Sequence, residues 1–152
     1  MTKAEAEQLR EQTLDAIWTT GVLNRDAGRQ KYILPAVYTF YDAEGNPLYI
    51  GSSQWLDDRF DWHRRRPYWR QTRRIGIRIY PDREQMRLAE LALIFEKRPK
   101  YNRDGIYDDG REPLFFGMPG VSFADNAEEA LFSRDELIDG GATHGDILTR
   151  EN

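Results

Sequence analysis

Apolar and polar positions change their period several times along this chain, and each change predicts an element. Ala36 to Tyr41 is a run of β-branched, aromatic and small residues opened by Pro35; it reads as a strand. Asp42 to Pro47 contains Gly45, Asn46 and Pro47, a turn composition, and Leu48 to Gly51 is a second short apolar run. Two such runs joined by such a turn predict a β-hairpin. Ile75, Ile77 and Ile79 alternate with Gly76 and Arg78, the period of a third strand, and Pro81 ends it. Between hairpin and third strand, Leu56 and Phe60 are four apart and predict a helix to about Arg66, capped by Ser52 or Ser53, with Asp57 and Asp58 in its first turn. Asp82 can cap a longer helix to about Lys97. From Met86 to Phe95 that helix is apolar nearly all round, which predicts a central, buried helix, and Pro99 stops it.

The two ends are less patterned. Residues 3–20 read as a helix with a modest apolar stripe, ended by Gly21 and Asn24, and 24–32 as a polar connector. Residues 103–120 are rich in Gly, Asp and Pro, with Phe115 and Phe116 as anchors. A further helix is expected near Asn126 to Phe132, then a short turn for which Ser133 and Glu136 fit a capping box. Residues 139–152 read as loose.

The 152 residues amount to one domain with one core. No run of eighteen apolar residues exists, so nothing in the sequence is expected to span a membrane. Met1 to Arg10 is polar, without the apolar stretch of a signal peptide. Cysteine is absent, which excludes disulfides, thiol catalysis and cysteine-ligated zinc. The expected location is the cytoplasm.

Charge changes the picture more. The net charge is −4, yet Arg59 to Arg78 holds eight arginines and one acid, Asp61. That window carries +7 and leaves −11 on the rest of the chain. Local field, not the total, governs phosphate binding. Phe60, Trp62, Tyr68 and Trp69 are interleaved with these arginines. Arginine throughout favours phosphate, because the guanidinium fork binds phosphate oxygens in pairs. Arg64, Arg65, Arg66, Arg70, Arg73 and Arg74 are therefore candidate nucleic-acid contacts. A solvated helix face, with these arginines paired to Asp57, Asp61 or the acidic tail, is the bland alternative.

Several residues carry candidate chemistry. Glu90 has Met86, Arg87, Leu93 and Ile94 as helical neighbours, and an ionised carboxylate there is costly unless it is paired or holds a metal. A salt bridge to Arg87 or Arg78 would satisfy it. So would magnesium, which often needs only one or two protein carboxylates. Arg59 and His63 are four apart and share a helix face. Tyr38 and Tyr49, eleven residues apart, both sit on the hairpin. They can pack, or a phenol can act as a base where a cation lowers its pKa.

Together these residues resemble the GIY-YIG nuclease family. Ala36-Val37-Tyr38 matches the first tripeptide and Tyr49-Ile50-Gly51 the second. Arg59 and His63 fit the arginine-x-x-x-histidine helix motif, Glu90 in Leu88-Ala89-Glu90-Leu91 the metal-binding glutamate, and Pro99-Lys100-Tyr101-Asn102 the closing asparagine motif. The first tripeptide departs from the family pattern, with Ala for Gly and Val for Ile, but keeps its phenol. The resemblance covers residues 34–103 as a core, with 1–33 and 104–152 as extensions. It implies an α+β fold, a small three-stranded antiparallel sheet flanked by helices. It further implies hydrolysis of one nucleic-acid strand at a single divalent-metal site, with Mg2+ or Mn2+ on Glu90; DNA is the expected substrate and RNA the alternative.

In that picture Tyr38 activates water, Tyr49 holds the phosphate or the water, and Arg59 neutralises the phosphate. His63 accepts or relays a proton, and Asn102 ties the site together. Histidine at that helix position resembles the restriction-enzyme and related branches. Two rivals keep the fold: a non-catalytic nucleic-acid-binding or regulatory module, and a structure-selective repair or recombination nuclease. The acidic ends are candidate contacts for a homodimer or a protein partner.

Overall fold

The computed structural model describes residues 2–27, 34–102 and 127–137. In chain order these form α1 (Lys3–Ala27), β1 (Ala36–Tyr41), β2 (Pro47–Ser53), α2 (Leu56–His63), a 3₁₀ turn (Pro67–Arg70), β3 (Arg74–Ile79), α3 (Arg83–Lys97) and β4 (Ala130–Ser133). The fold is α+β, with helices on both faces of an antiparallel sheet. The expectations for 103–120 and 139–152 lie outside the described residues.

The hairpin forms where its turn chemistry put it. Asp42 Oδ1 accepts the Glu44 and Asn46 backbone N–H groups at 3.0 and 2.8 Å, and Gly45 supplies a φ of +84°. That φ is in the left-handed region that glycine enters without steric cost. These N–H donors hold the exposed Asp42 carboxyl below its usual pKa, the Asn46 amide first among them.

Among the described residues four strands, not three, make the sheet, in the order β2-β1-β3-β4. The extra strand corrects the helix expected near Asn126 to Phe132. Ala130 and Phe132 are buried while Leu131 and Ser133 are exposed, a period of two. Pairing with β3, Ile75 opposite Phe132 and Ile77 opposite Ala130, outweighs the helical preference of Ala and Leu. The capping box that follows is present: Ser133 Oγ accepts the Glu136 N–H at 3.0 Å and Glu136 Oε2 accepts the Ser133 N–H at 3.2 Å.

Two helix ends also differ from expectation. α1 runs through Gly21 and Asn24 to Ala27, since a glycine inside a helix costs only about 1 kcal/mol against alanine. α2 ends at His63, short of Arg66, and no side chain caps its start. Ser52 and Ser53 still belong to β2; Ser53 Oγ accepts the Trp55 N–H at 3.0 Å, and Ser52 has another partner. α3 behaves as its caps predict. Asp82 accepts the Gln85 N–H at 2.8 Å, and Arg98 leaves the helix at φ +50° just before Pro99.

Strand alternation divides the core in two. Tyr38, Phe40, Ile75, Ile77 and Phe132 face Leu56 and Phe60 of α2, Ile17 of α1 and Tyr68 of the 3₁₀ turn. Val37 and Ile50 face Met86, Ala89, Leu93 and Ile94 of α3. α3 thus covers one face, over β1 and β2, rather than running through the centre. β2 is the sheet's outer strand there, and the segment 100–102 runs along its free edge, with Tyr101 N–H donating to Leu48 O at 2.8 Å.

Candidate active site

The strand register builds the site. Tyr38 on β1 stands opposite Gly51 on β2 and Ile77 on β3. A Cβ at position 51 would lie 2.5 Å from Tyr38 Oη and 2.7 Å from its Cζ. The glycine therefore leaves the space that the Tyr38 ring occupies. Ser52, next along β2, points by alternation to the opposite face, toward α3. There its hydroxyl donates to Glu90 Oε1 at 2.7 Å.

α2 brings two groups to the Tyr38 hydroxyl. His63 Nε2 lies 2.6 Å from Tyr38 Oη, and Arg59 Nε donates to the same oxygen at 3.4 Å. On its other side His63 Nδ1 bonds the Tyr68 hydroxyl. The chain is Arg59, Tyr38, His63, Tyr68. His63 is fully buried, and two phenols satisfy both of its ring nitrogens. Tyr49 stacks on Tyr68 with ring centroids 5.0 Å apart and 8° between planes, and its hydroxyl bears on Arg59.

Burial sets the protonation of this chain. It raises Tyr38 well above the ordinary phenol range, helped by neighbouring Tyr49 and Glu90 and offset in part by Arg59. Burial also pushes His63 down to about 3, with the charges of Arg59 and Arg66 acting in the same direction. Tyr68 is raised by burial and by Tyr49. At neutral pH the phenols and the imidazole are all uncharged, and Arg59 is the cation among them.

Beyond the C-terminal end of β2 lies a cleft of about 530 Å³, between α2 and the first turns of α3. Ser52, Ser53, Gln54 and Trp55 form its floor, Arg59 and Trp62 one wall, and Arg83, Met86 and Arg87 the other. Through Arg59 it reaches the buried phenol and imidazole; through Ser52 it reaches Glu90. Among the described residues no group of three or more His, Cys, Asp and Glu side chains converges. A carboxylate beside a hydroxyl at an open cleft still fits a hard cation that takes its other ligands from water and substrate oxygens.

Asn102 stands apart from these groups. Its amide grips the outer edge of β2: Oδ1 accepts the Ile50 N–H and Nδ2 donates to the Ile50 carbonyl, both at 2.8 Å. The side chain substitutes for a neighbouring strand at the residue before Gly51.

The six arginines of the 64–74 segment do not act as one group. Arg64, Arg65, Arg66 and Arg70 line a second concavity of about 500 Å³ with Pro67. Arg64 is paired in part with Asp61 at 3.4 Å. Arg73 donates to the carbonyl of Arg70 at 2.7 Å, and Arg74 begins β3 opposite Tyr41 and Ser133. Sequence reasoning missed Ser52, Tyr68, Arg83 and Arg87 as parts of a site. Ser52 was accessible through strand alternation, since Gly51 and Ser52 must face opposite sides. Arg83 and Arg87 share a helix face, two turns and one turn before Glu90. Tyr68 returns to His63 only because the chain reverses at Pro67, which no periodicity reveals.

No family model and no curated protein matches the chain. Among solved structures it is similar to the GIY-YIG N-terminal endonuclease domain of UvrC from Thermotoga maritima, a domain bound to its catalytic divalent cation, magnesium. That similarity has 25% sequence identity and a TM-score of 0.42, over 45% of this chain and 83% of that one.

Proposed function

We propose that this chain is a magnesium-dependent endonuclease that hydrolyses phosphodiester bonds in DNA at the cleft beyond β2. One observation carries the reading. A single cleft has the Arg59 guanidinium backed by a phenol–imidazole pair on one side, and the Glu90 carboxylate, through Ser52, on the other.

Arg59 binds the non-bridging oxygens of the scissile phosphate, and its charge gains value as negative charge grows there. Arg59 stands between the cleft and the buried pair; as the bound substrate opens that pair to the cleft, Tyr38 Oη takes a proton from the attacking water while its own proton passes to His63 Nε2, 2.6 Å away. The water oxygen bonds to phosphorus, the bond to the leaving sugar oxygen breaks, and that oxygen takes a proton from solvent. Tyr68 holds the imidazole from its other nitrogen. Tyr49 steadies Arg59 from the side, and Asn102 fixes the strand that carries Tyr49 and Gly51. Glu90 would hold the magnesium, which when bound supplies positive charge to the leaving oxygen.

Incubating the purified protein with supercoiled plasmid and magnesium tests this. Nicked or linear product is expected with magnesium, none with chelator, and none from Glu90→Gln. An intact plasmid at saturating protein overturns the reading. A second reading, a binding module on the same fold, is favoured by the complete burial of Tyr38 and His63. It expects retarded but uncut plasmid in the same assay.

A further inference from the structure

Trp62 is an anomaly that the proposed chemistry does not use. It is one of two large apolar side chains exposed among the described residues, at 41%, and it stands in the wall of the cleft. Its ring is held rather than loose. The Arg59 guanidinium lies over it at 4.3 Å and that of Arg66 at 3.6 Å, and its ring meets His63 edge-on at 4.9 Å. A rigid exposed indole between guanidiniums is a surface for another flat, electron-rich ring. Across the cleft, Arg83 and Arg87 are exposed, one helical turn apart on α3. The cleft's 530 Å³ falls in the range that encloses a small ligand, roughly 300–1,000 Å³.

Building on the nuclease reading, we propose that the cleft seats one unstacked nucleotide beside the scissile phosphate. Its base stacks on Trp62, and its own phosphate sits against Arg83 and Arg87. Arg66, itself exposed, yields its place on the indole to the base and becomes free for the backbone. Ser53 and Gln54 on the floor supply hydroxyl and amide groups to the base edge. A paired base is already stacked on its neighbours and must leave them to reach the indole. An unpaired base leaves less behind. The substrate class that follows is a duplex carrying an unpaired or displaced nucleotide next to the cut.

Fluorescence decides it, with the full chain in chelator so that nothing is cut. Two short duplexes of the same sequence are used, one with a single unpaired 2-aminopurine and one fully paired. Wild-type protein is expected to bind the unpaired duplex roughly tenfold more tightly and to quench the probe by stacking. Trp62→Leu should abolish both preference and quenching, while Trp62→Phe keeps part of each. Arg83→Ala with Arg87→Ala should weaken the unpaired duplex more than the paired one and reduce its salt slope by about one, the share of the single phosphate they hold. Equal affinity of wild type for the two duplexes, or an unchanged preference in Trp62→Leu, overturns the stacking. An unchanged salt slope in the double variant overturns the phosphate seat. Failure of wild type to bind either duplex removes the nuclease reading as well.

Discussion

Among the described residues, two arginine-lined concavities of nearly equal size differ in what stands behind the guanidiniums. The cleft beyond β2 draws Arg59, Arg83 and Arg87 from two helices far apart in sequence, and backs them with a phenol, an imidazole and a carboxylate. The second concavity draws Arg64, Arg65, Arg66 and Arg70 from one short segment, with only Pro67 among them. In the proposed function the first binds a phosphate and moves a proton, while the second only binds. Density of arginine along the chain located the second and understated the first. Convergence in space, set by strand register, made the difference.

The largest expected effect breaks the cleft alone. Tyr38→Phe keeps the buried ring and removes the hydroxyl that joins Arg59 to His63. Its single-turnover cleavage rate should fall about 10²–10⁴-fold, the range for a lost general base, with DNA affinity nearly kept. Full activity in that variant would reduce the phenol to packing. Arg59→Lys keeps the charge but loses the planar fork, and a loss of about 10²-fold in rate is expected.

Gly51→Ala sharpens the claim that register builds the site. The new methyl meets a fully buried Tyr38 ring, so unfolding free energy should drop by about 1–3 kcal/mol, measured by denaturant titration. Cleavage should fall with it. A variant as stable and as active as wild type would mean that Tyr38 has room the register denies it.

A smaller effect separates the interior of the cleft from its surface. His63 is held neutral, with its pKa lowered to about 3 from an unfolded value near 6.5. Between those values the unfolded chain binds the extra proton, so stability is full above pH 6.5 and is lost as pH falls toward 3. The loss attributable to this one group is on the order of a few kcal/mol. His63→Gln should flatten that part of the pH–stability profile relative to wild type. Identical profiles would show the imidazole to be charged or exposed.

Much of the candidate site's placement was legible because its residues sit on strongly patterned elements. The Ala36–Tyr41 strand, the turn around Gly45 and the caps of α3 fixed Tyr38, Tyr49 and Glu90 in the right elements. Arg59 and His63, four apart on one helix, meet the same oxygen as their spacing allows. The fourth strand was not legible, because Ala130 to Ser133 has helical composition and acquires its period only against β3. Nor was the absence of a side-chain cap on α2. Ser52 and Ser53 look like caps, but the strand continues through them and Glu90 claims the Ser52 hydroxyl. Local preference and tertiary demand conflict at these positions, and tertiary demand prevails.

The contrast between the two concavities reduces to one measurement, single-turnover cleavage of a short duplex by Glu90→Gln and by the triple variant Arg65→Ala, Arg66→Ala, Arg70→Ala. Protein concentration is raised until each rate saturates. Glu90→Gln is expected to reach saturation at the wild-type concentration with almost no cleavage. The triple variant should need more protein, increasingly so with salt, and then cut at close to the wild-type rate. A Glu90→Gln protein that cuts normally, or a triple variant that binds normally but cuts no faster at saturation than Glu90→Gln, would contradict the assignment of chemistry to the cleft beyond β2.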